Sequence, residues 1–248
     1  MSSPASTTVS IGCAGWSLPR EVWPQFPGDG SHLERYAQQL NAAEINSSFY
    51  RPHQHATYAR WADSVPADFR FAVKLPKTIS HEQRLHKPGA LLETFLSQAT
   101  GLGSKLGCLL LQLPPSLVFD DATAIAFFKA LRAQHKGAVA LEPRHASWFN
   151  ADAHALLQTW KIARVLADPV LHEAGVAPGG WPGLVYVRLH GSPRMYYSSY
   201  DADTLQALAL KLREVAEAGA EPWCIFDNTA SGAATANAMA LNALLRKR

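Results

Sequence analysis

Eight short apolar runs recur along the chain, and between them lie segments whose apolar residues fall at helical spacing. The runs are VSIGC (9–13), AEIN (43–46), RFAVKL (70–75), GCLLLQL (107–113), AVALEP (138–143), ARVLAD (163–168), LVYVRLHG (184–191) and WCIFDN (223–228). Their length and composition are those of strands. Helical patterns cover about 31–41, 55–64, 89–102, 121–135, 150–160, 202–218 and 232–246. Strands that alternate with helices pair in parallel and carry the helices on their outer faces. Eight such units in 248 residues, with no linker between them, predict an α/β fold: a single TIM-type (β/α)8 barrel forming one domain over residues 1–248. Residues 1–8 read as a flexible N-terminal tail. Between the sixth and seventh strands, PVLHEAGVAPGGWPG (169–183) is rich in Gly and Pro, and a loop or short turn replaces the helix. An open dinucleotide-binding sheet fits less well, because IGCAGW (11–16) lacks the third glycine of that fingerprint.

Parity then assigns faces. In LVYVRLHG, Val185, Val187 and Leu189 share one side, while Tyr186, Arg188 and His190 share the other. If the apolar side packs against helices, the polar side points into the barrel near its mouth. The carboxyl ends of such strands face the active site. They carry Glu44 and Asn46, Lys74, Gln112, Glu142 and Arg144, Asp168, Arg188 and His190, and Asp227 with Asn228. Interior layers of small or apolar residues, such as Ala72 before Lys74 and Leu110 before Gln112, precede these polar ends. Trp16, Phe49, Tyr50, Trp148 and Trp181 lie just past strand ends as candidate pocket walls. His81 and His86 are expected to face water. Charges at such a rim can also serve only to neutralise one another. So many converging on one rim favour a ligand, because fixing them without one is costly.

Composition closes off other classes. A formal charge of +3, with no basic run before the terminal RKR, argues against nucleic acid as a partner. No segment approaches the roughly 20 apolar residues of a membrane span. MSSPASTTV lacks the charged start and apolar core of a signal peptide, so a cytoplasmic location is expected. Cys13, Cys108 and Cys224 form no CxxC pair and each sits in an apolar run, which reads as core packing in a reducing compartment rather than a zinc site.

Three functions remain open. The first is an enzyme of isomerase or lyase type acting on a small polar or anionic, sugar-like substrate without a cofactor. Glu44, Glu142 and His190 would move protons there. Lys74, Arg144 and Arg188 would hold anionic oxygens, with Asn46, Gln112, Asp168, Asp227, Asn228, Trp16, Tyr50 and Trp148 completing the substrate site. The second is a divalent-metal-dependent hydrolase or phosphodiesterase, with His190 and the carboxylates Glu44, Glu142, Asp168 or Asp227 around Mg²⁺ or Mn²⁺. Three cations on the same rim and the absence of HxH or HExxH spacing oppose it. The third is a non-catalytic ligand-binding barrel. The sequence leaves the oligomeric state open.

The blocks EINSSFY (44–50), FAVKLPKTISH (71–81), LLLQLPPSL (109–117), LEPRHASWF (141–149), YVRLHG (186–191) and IFDNTASGAATANA (225–238) resemble, in order and over nearly the whole chain, the YecE-like family, the domain of unknown function 72. The resemblance implies a TIM-barrel fold and carries no established activity; a relation to sugar isomerases rests on fold analogy. The last block departs from the family pattern, with Asp227 where a pair of asparagines is more usual. An added negative charge at the mouth follows.

Overall fold

The computed structural model describes residues 8–246, so the expected tail lies outside the described residues except for Thr8. Strands β1 (Ser10–Cys13), β2 (Ala42–Ile45), β3 (Arg70–Lys74), β4 (Leu106–Gln112), β5 (Ala138–Glu142), β6 (Ala163–Arg164), β7 (Leu166–Asp168), β8 (Gly179–Gly180), β9 (Leu184–Leu189) and β10 (Glu221–Phe226) alternate with helices α1 (His32–Ala37), α2 (His55–Asp63), α3 (Gly89–Ala99), α4 (Asp121–Gln134), α5 (Ala151–Thr159), α6 (Ala202–Glu217) and α7 (Ala233–Arg246). Each strand and helix run read from the sequence is present, with 163–168 broken at Val165. The Gly/Pro-rich segment holds a short 3-10 turn (Glu173–Gly175) and β8. Side-chain caps fix where helices begin. Ser31 and Glu34 form a reciprocal capping box ahead of α1, and Asp120, Asn150 and Asp201 accept from backbone N–H groups in the first turns of α4, α5 and α6.

The strands form a mixed α/β architecture of two sheets, in the orders β1-β10-β9-β7 and β2-β3-β4-β5-β6-β8. Pairing is parallel except where β6 meets β8. The single closed sheet expected from the sequence is not formed by the backbone ladders, and the two seams show why. Between β1 and β2, side chains stand in for strand pairing. The Asn41 amide accepts from Ile11 N at 2.8 Å and donates to Val9 O at 2.8 Å. The Tyr36 hydroxyl accepts from Cys13 N and donates to Ala42 O, both at 2.8 Å. Only beyond them does a backbone bridge, Ala14 to Glu44, appear. At the other seam the chain 163–168 changes sheets: Ala163 and Arg164 pair with β5, whereas Leu166 to Asp168 pair with β9.

Two apolar clusters follow the parity of the strands. One contains Val187, Leu189, Val73, Leu109 and Leu111 together with helix residues such as Leu92, Phe127 and Leu205. It lies between strands and helices, as the period-two reading of β9 requires. The other holds the alternate strand residues Ala42, Ala72, Cys108, Leu110, Ala140, Tyr186, Trp223 and Ile225. Small residues from β2, β3 and β5 there face the stacked Tyr186 and Trp223 rings of β9 and β10, whose planes are 11° apart. The Trp223 ring reaches Gly107 of β4, where a Cβ would approach it to 2.6 Å, so the position admits only glycine without a shift. Among the described residues no helix is long and apolar enough to cross a membrane.

Candidate functional site

Above the inner apolar cluster, at the carboxyl ends of the strands, lies a buried ionic network. Arg188, next to last in β9, is fully buried. Its Nε donates to Glu44 Oε2 at 2.9 Å and its Nη2 to Glu44 Oε1 at 2.6 Å. Nη1 donates to Glu142 Oε2 at 2.8 Å, and Nη2 lies 3.1 Å from Asp227 Oδ2. One guanidinium thus ties the ends of β2 and β5 to the residue after β10. Tyr186, two residues earlier on the same face, donates its hydroxyl to Glu44 Oε2 at 3.0 Å.

His190 follows β9 and is also fully buried. The chain turns away directly after it, because Gly191 takes a φ of +95°, a conformation side chains disfavour. Its Nδ1 lies 3.0 Å from Asp227 Oδ2 and its Nε2 3.0 Å from Glu142 Oε1. Burial would lower the imidazole pKa, but its hydrogen bonds to Asp227 and Glu142 outweigh it, and the net shift is upward. Two flanking carboxylates favour the imidazolium, the form in which both nitrogens donate. Arg144 Nη2 reaches the same Glu142 Oε1 at 2.5 Å and lies 3.0 Å from His190 Nε2. Burial opposes ionisation of Glu142, yet Arg188, His190 and Arg144 together hold its pKa well below the usual carboxylate range. Asp227 is lowered by the same balance, burial against Arg188 and His190.

Three carboxylates, Glu44, Glu142 and Asp227, therefore face two guanidiniums and the His190 ring. Lys74 adds a further cation at the end of β3, with 5% of its surface exposed. Its Nζ sits 4.3 Å from the Phe49 ring centroid. Burial, and then Arg188, pull its pKa down to about 8 against the pull of Glu44, Glu142 and Asp227. With Lys74 and His190 both protonated, the rim carries one positive charge in excess.

A cavity of about 450 Å³ opens beside this network, lined by Gly15, Trp16, Glu44, Asn46 and Tyr50 among others. Trp16 packs edge-on to Trp61 and Phe71, and Tyr50 is 69% exposed at the outer edge. Two buried polar atoms around the rim, Asn46 Oδ1 and Arg144 Nε, have no partner. Buried polar atoms are nearly always satisfied, so two orphans on one rim mark unmet recognition capacity. A larger cavity, of about 860 Å³, lies at the opposite, amino ends of the strands near Val9, Asn41 and Phe69, away from this chemistry.

The structure thus brings together Glu44, Glu142, Arg144, Arg188, His190 and Asp227. Gln112 stands at its edge, 3.4 Å from Glu142 Oε1. Trp16, Tyr50 and Asn46 line the adjoining cavity. Others stand apart. Asp168 accepts from the Tyr200 hydroxyl at 2.7 Å, outside the ionic network, and Asn228 donates to Ser198 O and Asn237 Oδ1. Trp148 is buried against Phe119 and donates to Leu117 O, so it anchors the loop after β5 rather than walling the cavity. Trp181 lies with Arg132 and Lys136 near the start of β5. His81, expected in water, is instead half-buried with its ring edge-on to Phe49 at 4.9 Å. Sequence reasoning also missed Tyr196, whose ring stands edge-on to His190 at 5.9 Å. Parity with Arg188 could have found Tyr186; nothing local marks Tyr196, which lies in an irregular loop.

The family model described as "Protein of unknown function DUF72" matches residues 10–248. The chain is 31% identical over 142 residues to UPF0759 protein YecE of Escherichia coli K12, an alignment covering 57% of this chain and spanning half the length of that relative. It is 23% identical to UPF0759 protein YunF of Bacillus subtilis, over 96% of this chain and 94% of that one. Its fold is similar to crystal structures of DUF72 family proteins from Enterococcus faecalis (TM-score 0.82, 21% identity, 97% of this chain and 96% of that one) and Thermotoga maritima (TM-score 0.80, 24% identity, 96% and 99%).

Proposed function

Because the chain belongs to the DUF72 family, whose description names no reaction, we propose a function from the site itself: an enzyme of isomerase or lyase type that acts by acid/base chemistry on a small, anionic, sugar-like substrate. The observation that carries this reading is His190 held between Glu142 and Asp227 at 3.0 Å each, beside the unmet Arg144 Nε. Asp227 fixes the ring and its charge from behind, as a carboxylate does for a catalytic imidazole. His190 then serves as acid and Glu142 as its proton-accepting neighbour. Three of the five N–H groups of Arg188 donate to carboxylates, and Asp227 Oδ2 lies a further 3.1 Å from Nη2. Arg188 is accordingly a positioning residue, and Arg144 receives the anionic group. Trp16 and Tyr50 offer ring surfaces to the substrate's carbon skeleton.

The same reading takes the two sheets as one (β/α)8 barrel whose mouth is this site. Trp223 reaching Gly107, and Arg188 reaching both Glu44 and Glu142, support a common interior. We place the protein in the cytoplasm, where its free, buried Cys13, Cys108 and Cys224 stay reduced.

Thermal-shift titrations with inorganic phosphate and a panel of sugar phosphates, beside Mg²⁺, Mn²⁺ and Zn²⁺, test the proposal. A ligand at a hundred times its Kd adds about 2.7 kcal/mol. The same panel incubated in deuterated water and followed by NMR reads proton exchange at carbon. Stabilisation by a divalent ion alone, with no exchange, would overturn the reading in favour of a metal-dependent hydrolase.

A further inference from the structure

Lys74 occupies an unusual position. Its own strand end is pinned by Ser48, whose single hydroxyl proton is shared between Lys74 O at 2.6 Å and Ile45 O at 2.7 Å. The turn after β2 is thereby locked so that Phe49 lies against the ammonium. The charged groups facing it are Glu44 from β2, Glu142 from β5, Arg188 from β9, Asp227 after β10 and His81 beyond β3. The carboxylates among them are spent on Arg188, His190 and Arg144. Among the described residues the Nζ has no hydrogen bond or ion pair, and its close contact is the Phe49 ring. It is nevertheless not one of the sealed, unsatisfied atoms, so the nitrogen itself stays open to solvent. A nearly buried amine denied a carboxylate at the rim of a site is arranged for chemistry rather than for charge neutralisation.

We propose that Lys74 is a nucleophilic amine that condenses with the carbonyl carbon of an anionic aldehyde or ketone, forming an iminium at Nζ. The inference rests on the acid/base reading of the same site and names its substrate class. The neutral amine's lone pair forms the C–N bond while the carbonyl oxygen takes up a proton released by the nitrogen. The C–O bond then breaks, and the hydroxyl leaves as water with a second proton drawn from solvent. No electrons enter or leave. The resulting iminium keeps its positive charge over the Phe49 face, where a cation–π contact stabilises it. A pKa pulled down to about 8 supplies neutral amine close to neutrality.

The full chain incubated with glycolaldehyde phosphate or pyruvate and sodium cyanoborohydride, then digested and mapped by mass spectrometry, tests this. Reduction should leave one adduct on Lys74, formed at pH 8 at least tenfold faster than on the exposed Lys211. Lys74→Arg, checked as folded by circular dichroism, should lose it. Lys74 reacting no faster than Lys211 in the wild-type chain overturns the inference. If phosphate still raises the melting temperature in that case, the iminium fails while the anionic acid/base reading stands; if neither adduct nor shift appears, both fail.

Discussion

Arg188 and Glu44, 144 residues apart in the chain, meet in a bidentate pair with contacts of 2.6 and 2.9 Å, and neither side chain is exposed. The same guanidinium satisfies Glu142 and Asp227. Removing it leaves buried carboxylates uncompensated, and breaking such a pair costs about 3–5 kcal/mol. Arg188→Met should lower stability by that amount in urea denaturation at pH 7. A loss under 1 kcal/mol would show that the network is better hydrated than its burial implies.

His190 should remain protonated above pH 6.5, where an ordinary histidine is half titrated. Its folded pKa is raised, so its contribution to stability is complete below the unfolded value and disappears as pH rises through the folded one. NMR titration of the ring proton reads the pKa directly. Asp227→Asn should lower it, by removing the carboxylate at Nδ1.

Glu142→Gln keeps the shape of the side chain while removing the charge that three cationic groups share. Once a substrate is found, turnover should fall by about 10²–10⁴. Glu142 has a lowered folded pKa, so its stabilisation is present above its unfolded value and is lost as pH falls through the folded one. Acid unfolding curves of the wild type and Glu142→Gln should accordingly converge at low pH.

Lys74→Met should make the protein more stable. The ammonium is disfavoured by burial, a cost fully present below about pH 8 and relieved as pH approaches its ordinary value of 10.5. Replacement with a long apolar side chain should add about 1–3 kcal/mol at pH 7, a gain that fades between about pH 8 and 10.5. Urea midpoints across this range check the sign; a destabilised variant would mean that Lys74 is structural.

The seam between β1 and β2 depends on the Tyr36 hydroxyl, which serves both Cys13 N and Ala42 O. Tyr36→Phe strands a buried donor and a buried acceptor, and should cost about 1–3 kcal/mol. Hydrogen exchange at the Cys13 amide should accelerate well beyond that at amides within β4.

What the sequence by itself determined is local. Period two and period 3.6 depend on neighbours a few residues away, so the strand and helix order, the Gly/Pro-rich replacement for a helix at 169–183, and the faces of Arg188 and His190 could all be read from it. It also placed Glu44, Lys74, Glu142 and Asp227 at strand ends. Only the tertiary structure decided which of these meet. Arg188 chooses Glu44, Glu142 and Asp227 because strands distant in the chain converge there, whereas Asp168, also at a strand end, is turned to Tyr200. His81 and Trp148 carry no periodic signal that would assign their surroundings; packing against Phe49 and Phe119 does. The backbone ladder breaks between β1 and β2 for the same reason: whether Asn41 and Tyr36 replace it depends on distances across the fold, which no short window of sequence contains.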